Sequence, residues 1–193
     1  QVTIGTKSHK TRSPFFVIAT QNPVESEGTF PLPAAQLDRF MLRLSLGYPS
    51  RDAEIALLSD KPSETALREL TPALSVDDFL AACGEARRVF CHHALKETIA
   101  DIVRETRAHK SVSLGASPRA ALHFLAASRA FAFIRGRGFV TDEDITVLAV
   151  PVLAHRLKLR DARADCAKLI REITLSRIEK INVDFKNMTK STD

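Results

Sequence analysis

Three side chains far apart in the chain are of types that could act on a phosphate group: Asn22, Arg39 and Arg119. Asn22 follows a short apolar run at residues 15–19 and precedes Pro23, so it is expected near the carboxyl end of a buried strand. Ligands bind at that end of an open α/β sheet, where an Asn amide can donate to a phosphate and accept from a water. The alternative is that Asn22 only caps the turn before Pro23.

The two arginines have the charge and shape that phosphate oxygens require. The guanidinium of Arg39 is a rigid fork of donors, but the residues alone favour a surface arginine paired with Asp38 or Glu27. Arg119 lies two residues after Ser117, in the first turn of a predicted helix. Helix amino ends carry partial positive charge and free N–H groups, so an arginine there reinforces an anion site. The alternative is a solvated arginine at a helix start.

The first quarter of the chain has the pattern of a partial sheet. We predict a hairpin or loop up to residue 14, a strand buried on both faces at 15–20, and a half-exposed strand at 41–46. Two strands are too few for independent stability. Residues 1–48 are therefore expected to be the less stable portion unless a partner or a swapped copy covers them.

From Ser50 onward the pattern is helical, and we predict a bundle of five or six helices ending near residue 182. Pro151 is expected to break or kink its helix. The helix starts are marked by capping residues: Ser50, Ser75 with Asp78, Ser117 followed by Pro118, and Thr141 with Asp144. The apolar side predicted for the helix that begins at Pro118 consists of Leu122, Leu125, Ala126 and Phe133.

Composition excludes several classes of function. The net charge is +5 with a pI near 9.3, but no run of five or six Lys or Arg occurs, so a solvated surface is favoured over affinity for phosphates or nucleic acid. Three cysteines without a C-x-x-C spacing indicate reduced thiols. Cys91, His92 and His93 are adjacent, and adjacent residues rarely converge on one ion, so no metal site is predicted. No apolar run long enough to cross a membrane is present.

Several longer motifs occur together in one order. They are ATQNP, EGTFPLP and AQLDRF within residues 19–40, LGYPS at 46–50, LGASPRA at 114–120, and VTDEDI with PVLAHRL within 140–157. In this order and spacing the chain resembles the MoxR family of AAA+ ATPases over about residues 1–180. The family's phosphate loop, G-x-x-x-x-G-K-[ST], and its magnesium-binding strand ending in Asp-Glu do not occur here.

The resemblance implies a fold that is mainly α: an incomplete α/β AAA+ core remnant of two strands plus a hairpin or loop, followed by an all-α lid bundle. Residues 1–48 would be the carboxyl-terminal part of the nucleotide-binding core, 49–185 the lid, and 186–193 a flexible tail. Asn22 would be the first sensor, Arg39 the arginine finger and Arg119 the second sensor. The full-length protein would use ATP and Mg²⁺, whereas this chain alone is expected to bind neither tightly and to be inactive.

The resemblance also implies partners. A finger that acts in a neighbouring subunit requires a ring, most simply a hexamer. Family members resemble remodelling factors for client proteins, often with a partner that carries a von Willebrand factor A domain, and a full-length member would be cytoplasmic. The alternative from another class is a stand-alone helical module for protein interaction. No mechanism follows from the residues for Glu25, Glu27 and Thr29 in the EGTFPLP region, which could contact a client or form a plain surface loop.

Overall fold

A computed structural model of the chain describes residues 2–21, 32–59 and 68–190. The helices found there are α1 Ala34–Leu37, α2 Arg51–Ser59, α3 Val76–Arg88, α4 His93–Ala108, α5 Pro118–Ile134, α6 Asp142–Leu153 and α7 Cys166–Lys190. The strands are β1 Val2–Ile4, β2 Lys7–His9, β3 Val112–Leu114 and β4 Lys158–Leu159, and a 3-10 turn spans Ala154–Arg156. The mainly α-helical fold predicted from the sequence is confirmed. None of the helices in the described part of the chain combines the length and apolar character needed to cross a bilayer.

The amino-terminal hairpin is present, but the two predicted strands are not. β1 and β2 pair antiparallel, with Val2 opposite His9. Residues 15–20 and 41–46 belong to neither sheet of the described residues, so both strand predictions are wrong. Phe16 and Leu44 are 82% and 72% exposed. A buried strand needs neighbouring strands to pair its N–H and C=O groups, and the described residues offer no such strand to these segments.

The hydrophobic core lies entirely in the helical region. α4, α5, α6 and α7 pack on one another, and α3 packs against α5. Each of the four central helices contributes a side chain that is 0% exposed: Ile102, Phe124, Ile145 and Ile170 respectively. The core cluster found in the described residues runs from Val89 to Ile178.

Local signals place the helix ends where the sequence predicts them. The Ser75 hydroxyl accepts from the Asp78 amide at 3.1 Å, as a cap of α3. Thr141 and Asp144 form the reciprocal capping box that begins α6. Gly136 follows α5 at φ 72°, a left-handed conformation that glycine adopts without steric cost.

The buried face of α5 differs from the prediction. Leu122 is 70% exposed. The buried residues of the helix are Ala120, Phe124, Ala127, Ser128 and Ala132. Apolar residues occur on all sides of this helix, so periodicity alone does not select one face. The neighbouring helices select it, and they bury the face that carries Phe124.

Several boundaries also differ from the prediction, among them the end of α7, which lies at Lys190 rather than near residue 182. α6 continues through Pro151 and ends at Leu153, so the predicted break at the proline is wrong. Pro151 lies in the last turn, and its missing N–H removes one helical bond, the one to the Val147 carbonyl. α7 begins at Cys166, later than the predicted residue 162, and the Asp165 carboxylate accepts from the Ala167 amide at 2.7 Å near this start. The predicted loop at 110–116 contains β3, which pairs with β4.

The segment that leads into α5 is fixed closely against α4. Thr106 is fully buried, and its hydroxyl donates to the Val103 carbonyl at 2.7 Å and accepts from the Ala116 amide at 3.0 Å. A Cβ atom on Gly115 would lie 2.7 Å from the Cα of Arg107, closer than real Cβ contacts allow. Only glycine lets the two backbones approach this closely.

Candidate functional site

Asp38, which caps the carboxyl end of α1, joins the AQLDRF segment to the helical region. Its carboxylate accepts from the Ser117 hydroxyl at 2.9 and 3.0 Å and from Nη1 of Arg156 at 2.8 Å. Arg119 completes the group, with Nη1 at 3.7 Å from an Asp38 oxygen. These four side chains are named the Asp38 cluster. Asp38 is 79 residues from Ser117 in the sequence, and Arg119 lies two residues beyond Ser117. The cluster therefore joins distant parts of the chain.

The amino end of α5 faces a negative charge. Ser117 precedes the helix and Pro118 occupies its first turn, as predicted. The Ser117 hydroxyl does not cap its own helix, since it donates to Asp38 instead. A carboxylate therefore stands at the helix end where the partial positive charge favours an anion.

The two arginines of the cluster are held very differently. The side chain of Arg156 is 1% exposed, whereas that of Arg119 is 52% exposed. Burial lowers the pKa of Arg156, and the charge and hydrogen bond of Asp38 oppose that shift. Arg156 is thus a fixed internal partner of Asp38, while the longer 3.7 Å pair leaves Arg119 able to turn toward an external anion.

Two histidines line the same junction, and burial lowers the pKa of each. Nδ1 of His123 lies 2.8 Å from Nη2 of Arg156, and since an arginine only donates, this nitrogen accepts. Burial, and then the charge of Arg156, lower the pKa of His123. Nε2 of His155 lies 3.2 Å from the Phe40 carbonyl, and burial lowers the pKa of His155 as well. Burial and the nearby charge of Arg156 both favour the neutral form of these rings.

The structure places the three sequence-predicted site residues as follows. Arg119 belongs to the Asp38 cluster, and Arg39, an exposed residue, directly follows Asp38. Within the described residues the Arg39 guanidinium has no hydrogen-bond or ion-pair partner, and Asp38 is engaged by other side chains. Asn22 lies outside the described residues, as do Glu25, Glu27 and Thr29 of the EGTFPLP region.

The sequence reasoning did not identify Asp38 as the centre of the site, nor Arg156 as its main partner. Both were present in motifs used for the resemblance, AQLDRF and PVLAHRL. A buried arginine has no signature in sequence, since its pattern is that of any arginine at a helix end.

The adjacent Cys91, His92 and His93 do not converge. Cys91 is 2% exposed, and burial raises the pKa of its thiol. His92 caps α4 through Nδ1, which accepts from the Ala94 amide at 3.2 Å. Nδ1 of His93 lies 3.2 Å from a Glu97 carboxylate oxygen. In the described part of the chain, no group of three or more His, Cys, Asp or Glu is arranged to hold a metal ion.

Comparison with protein families matches two parts of the chain. Residues 1–42 match the family described as "ATPase family associated with various cellular activities (AAA)". Residues 104–173 match the family described as "AAA lid domain". The second match contains α5, α6 and Arg156, and the first contains Asp38 and Arg39. The Asp38 cluster therefore joins the two matched regions.

Individual relatives match most of this chain. The chain is 42% identical to the uncharacterized protein YeaC of Bacillus subtilis over 158 residues, which is 82% of this chain and 49% of YeaC. It is 38% identical to Chaperone MoxR1 of Mycobacterium tuberculosis over 190 residues, which is 92% of this chain and 48% of MoxR1. Among solved structures, a putative ATPase from Cytophaga hutchinsonii superimposes with a TM-score of 0.79 at 34% identity, covering 91% of this chain and 57% of that one.

A piece of an AAA core followed by an AAA lid defines the class: the chain carries the architecture of an AAA+ ATPase. The chain spans about half the length of the curated relatives it matches. It belongs to the MoxR family of AAA+ ATPases.

Proposed function

We propose that this chain is the carboxyl-terminal portion of a chaperone-like, ATP-driven remodelling factor. In that machine Asn22 orients the attacking water, Arg39 is the arginine finger, and Arg119 is the lid sensor. ATP and Mg²⁺ are held by a phosphate loop and an acidic strand end that other residues supply. The chain alone does not hydrolyse ATP, because it lacks both of those motifs.

The observation that supports this proposal best is the position of Arg119 beside Asp38, the residue before Arg39. Consecutive Cα atoms are about 3.8 Å apart, so the backbone that carries Arg39 lies next to the residue whose carboxylate Arg119 contacts. Both are substantially exposed, unlike Arg156. Two accessible guanidinium groups at one junction can address the same phosphate, and a finger that acts on a neighbouring subunit would bring Arg119 with it.

A mixed-ring assay tests the finger. In the full-length ATPase, Arg39→Ala is expected to lower kcat by about 10³-fold, because a guanidinium that stabilises the leaving γ-phosphoryl is worth ~10³–10⁵ in rate. Subunits with Arg39→Ala are then mixed with subunits that lack the phosphate-loop lysine. Each preparation alone is inactive, and mixing restores part of the activity, since an intact site forms wherever one subunit's lysine meets the other's finger.

Arg171→Ala is the matched control, because Arg171 is an exposed arginine of α7 outside the Asp38 cluster. It is expected to leave kcat within about twofold of wild type, as surface substitutions usually do. An Arg39→Ala protein with wild-type kcat would refute the finger. Failure of the mixed rings to recover activity would refute action across subunits. ATP turnover by the lone 193-residue chain would show a catalytic site elsewhere.

The same proposal includes a ring of subunits, most simply a hexamer, in the cytoplasm. The ATPase acts on a client protein, and a protein with a von Willebrand factor A domain is a candidate partner. Sedimentation of the full-length protein with and without ATP measures the ring size. A monomer at every nucleotide state and at micromolar concentration would contradict the assignment of Arg39 to a neighbouring subunit's site.

A helical interaction module remains the second candidate, and the location of the core favours it. The core cluster lies between Val89 and Ile178, so the helical region has its own hydrophobic interior. A groove on that region is lined mainly by apolar side chains of α4, α7 and the turn before α6: Leu95, Phe139, Val140, Ile178 and Ile181. Limited proteolysis distinguishes the two pictures. A resistant fragment that begins near Tyr48 supports an independent module, and simultaneous digestion of the whole chain contradicts it.

A further inference from the structure

Arg156 is the most completely engaged side chain at the junction. Its Nε donates to the Val152 carbonyl at 2.8 Å, within its own turn of the chain. Nη1 donates to the Asp38 carbonyl at 2.9 Å and to the Asp38 carboxylate at 2.8 Å. Nη2 donates to the Phe40 carbonyl, lies 3.4 Å from the Met41 carbonyl, and lies 2.8 Å from Nδ1 of His123. A guanidinium has five N–H groups, and each of its three nitrogens is used here.

The acceptors on the AQLDRF segment flank one residue. Arg156 binds the main-chain carbonyls of Asp38 and Phe40, which stand immediately before and after Arg39. These carbonyls belong to the peptide groups 38–39 and 40–41, so the backbone that carries Arg39 is held on both sides. The Arg39 guanidinium itself stays exposed.

Two further bonds hold the same segment to the end of α6. The Arg43 amide donates to the Pro151 carbonyl at 2.9 Å. Nε2 of His155 lies 3.2 Å from the Phe40 carbonyl. Residues 151–156, at the end of α6 and in the turn after it, therefore hydrogen-bond to the main chain of residues 38–43.

We propose that Arg156 is a positioning residue that couples the helical region to the Arg39 finger, an inference that rests on the function proposed above. Any movement of the turn at 151–156 carries residues 38–43 with it, and so moves Arg39. The helical region is also where Arg119 lies, in the first turn of α5. A phosphate that draws Arg119 away from Asp38 thus changes the surroundings of a carboxylate that Arg156 shares, and the finger responds to the same event.

The chemistry of the site requires arginine rather than any cation. Lysine offers three donors on a single nitrogen and cannot span acceptors on both sides of Arg39 at once. Arg156→Lys therefore keeps the positive charge beside Asp38 while it removes the fork. This substitution separates positioning from simple charge compensation.

The first measurement uses the 193-residue chain and follows amide hydrogen exchange. In Arg156→Lys the Arg43 amide is expected to exchange at least about tenfold faster, since the segment loses most of its anchors and opens locally. The Ile102 amide, in the core of α4, is expected to keep its rate. An unchanged exchange rate at the Arg43 amide would overturn the proposal that Arg156 anchors residues 38–43. Equal acceleration at the Arg43 and Ile102 amides would show a general loss of fold instead.

The second measurement uses the full-length ATPase and separates kcat from KM. Arg156→Lys is expected to lower kcat by about 10–100-fold with KM for ATP unchanged, because a misplacement of about 1 Å costs on the order of 10²-fold. Asp38→Asn, which keeps oxygen acceptors for Ser117 and Arg156, is expected to lower kcat less. Arg171→Lys is the control and stays at the wild-type rate.

The outcomes distinguish this inference from the proposed function. If Arg39→Ala abolishes turnover while Arg156→Lys retains wild-type kcat, the positioning role is overturned and the finger survives. If Arg39→Ala itself is fully active, the proposed function has failed. If Arg156→Lys lowers kcat only in proportion to lost rings on size exclusion, Arg156 is merely structural and the positioning role is again overturned.

Discussion

Gly115→Ala is expected to destabilise the protein through a single added methyl group. Gly115 lies in the segment before α5, where a Cβ would stand 2.7 Å from Cα and from Cγ of Arg107, and 2.8 Å from the Thr106 carbonyl oxygen. Two of these three atoms belong to the backbone of α4, which cannot turn aside as a flexible side chain can. The segment must therefore move away from the helix.

That movement strains a buried hydrogen bond as well. The Ala116 amide donates to the Thr106 hydroxyl at 3.0 Å, and both residues are fully buried. Overpacking costs about 1–3 kcal/mol, and a buried donor left unpaired costs about 1–3 kcal/mol. Since relaxation relieves one at the expense of the other, we expect a loss of about 2–4 kcal/mol in the free energy of unfolding.

Gly84→Ala is the matched control, with the opposite expected sign. Gly84 lies inside α3, and nothing stands within 4 Å of a Cβ there. Alanine in a helix interior is about 0.8–1 kcal/mol more favourable than glycine. The same chemical change thus lowers stability at Gly115 and raises it at Gly84.

Urea denaturation of the two variants and the wild type measures the free energies, and thermal denaturation measures the corresponding shifts in Tm. A change of 1 kcal/mol moves Tm by about 2–4 °C in a protein of this size, so Gly115→Ala should lower Tm by about 4–16 °C. Gly84→Ala should raise it by about 2–4 °C. If Gly115→Ala were neutral or stabilising, the close approach of the two backbones would be refuted, and with it the fixed position of the segment before α5.

Two further predictions concern the core and its acid sensitivity. Phe124→Ala should cost about 3–5 kcal/mol, as expected for a fully buried phenylalanine, while Leu122→Ala, 70% exposed, should cost far less; equal losses would contradict the buried face of α5. Burial alone would raise the pKa of Asp144, but hydrogen bonds from Arg137 and Thr141 hold it below its usual value. Its contribution is complete above the unfolded pKa of about 3.9 and is lost as pH falls through the lower folded pKa. The stability difference between wild type and Asp144→Asn, measured by urea denaturation, should therefore be largest near neutral pH and shrink below about pH 4. A difference that is constant with pH would contradict the shift.

Local sequence signals predicted the helical region well because its elements are set by short-range chemistry. The Ser75 cap and the Thr141–Asp144 capping box act between residues three apart, so the pattern and the structure coincide. The buried face of α5 could not be predicted in that way. Its apolar residues surround the helix, and only the packing of α3, α4 and α6 decides that Phe124 is buried and Leu122 is not.

The strands predicted at 15–20 and 41–46 are the opposite case, in which the sequence pattern does not match the structure. The first has the apolar composition of a buried strand and the second the alternation of a half-exposed strand, but both depend on neighbouring strands that the pattern does not contain. Ile18 and Leu46 are 80% and 100% exposed. Apolar composition indicates that a segment suits a buried sheet, but a sheet forms only where partner strands are present.

The sequence named Arg39 and Arg119 as candidate site residues, and their roles stay predictions. The structure brings Arg119 to the residue beside Arg39. Asp38 was considered only as a surface partner of Arg39. Its actual partners, Ser117 and Arg156, are 79 and 118 residues away, and no pattern within one element can pair residues across such separations.

The hydrogen bonds that hold residues 40–43 involve main-chain atoms, which nearly every amino acid possesses. The carbonyls of Phe40 and Met41 and the amide of Arg43 are the contact points, whatever side chains accompany them. Homologues can therefore diverge at these three positions, even in size and polarity, while the loop keeps its course. Proline at position 43 is the exception, because it would delete the one amide hydrogen that the loop donates to Pro151.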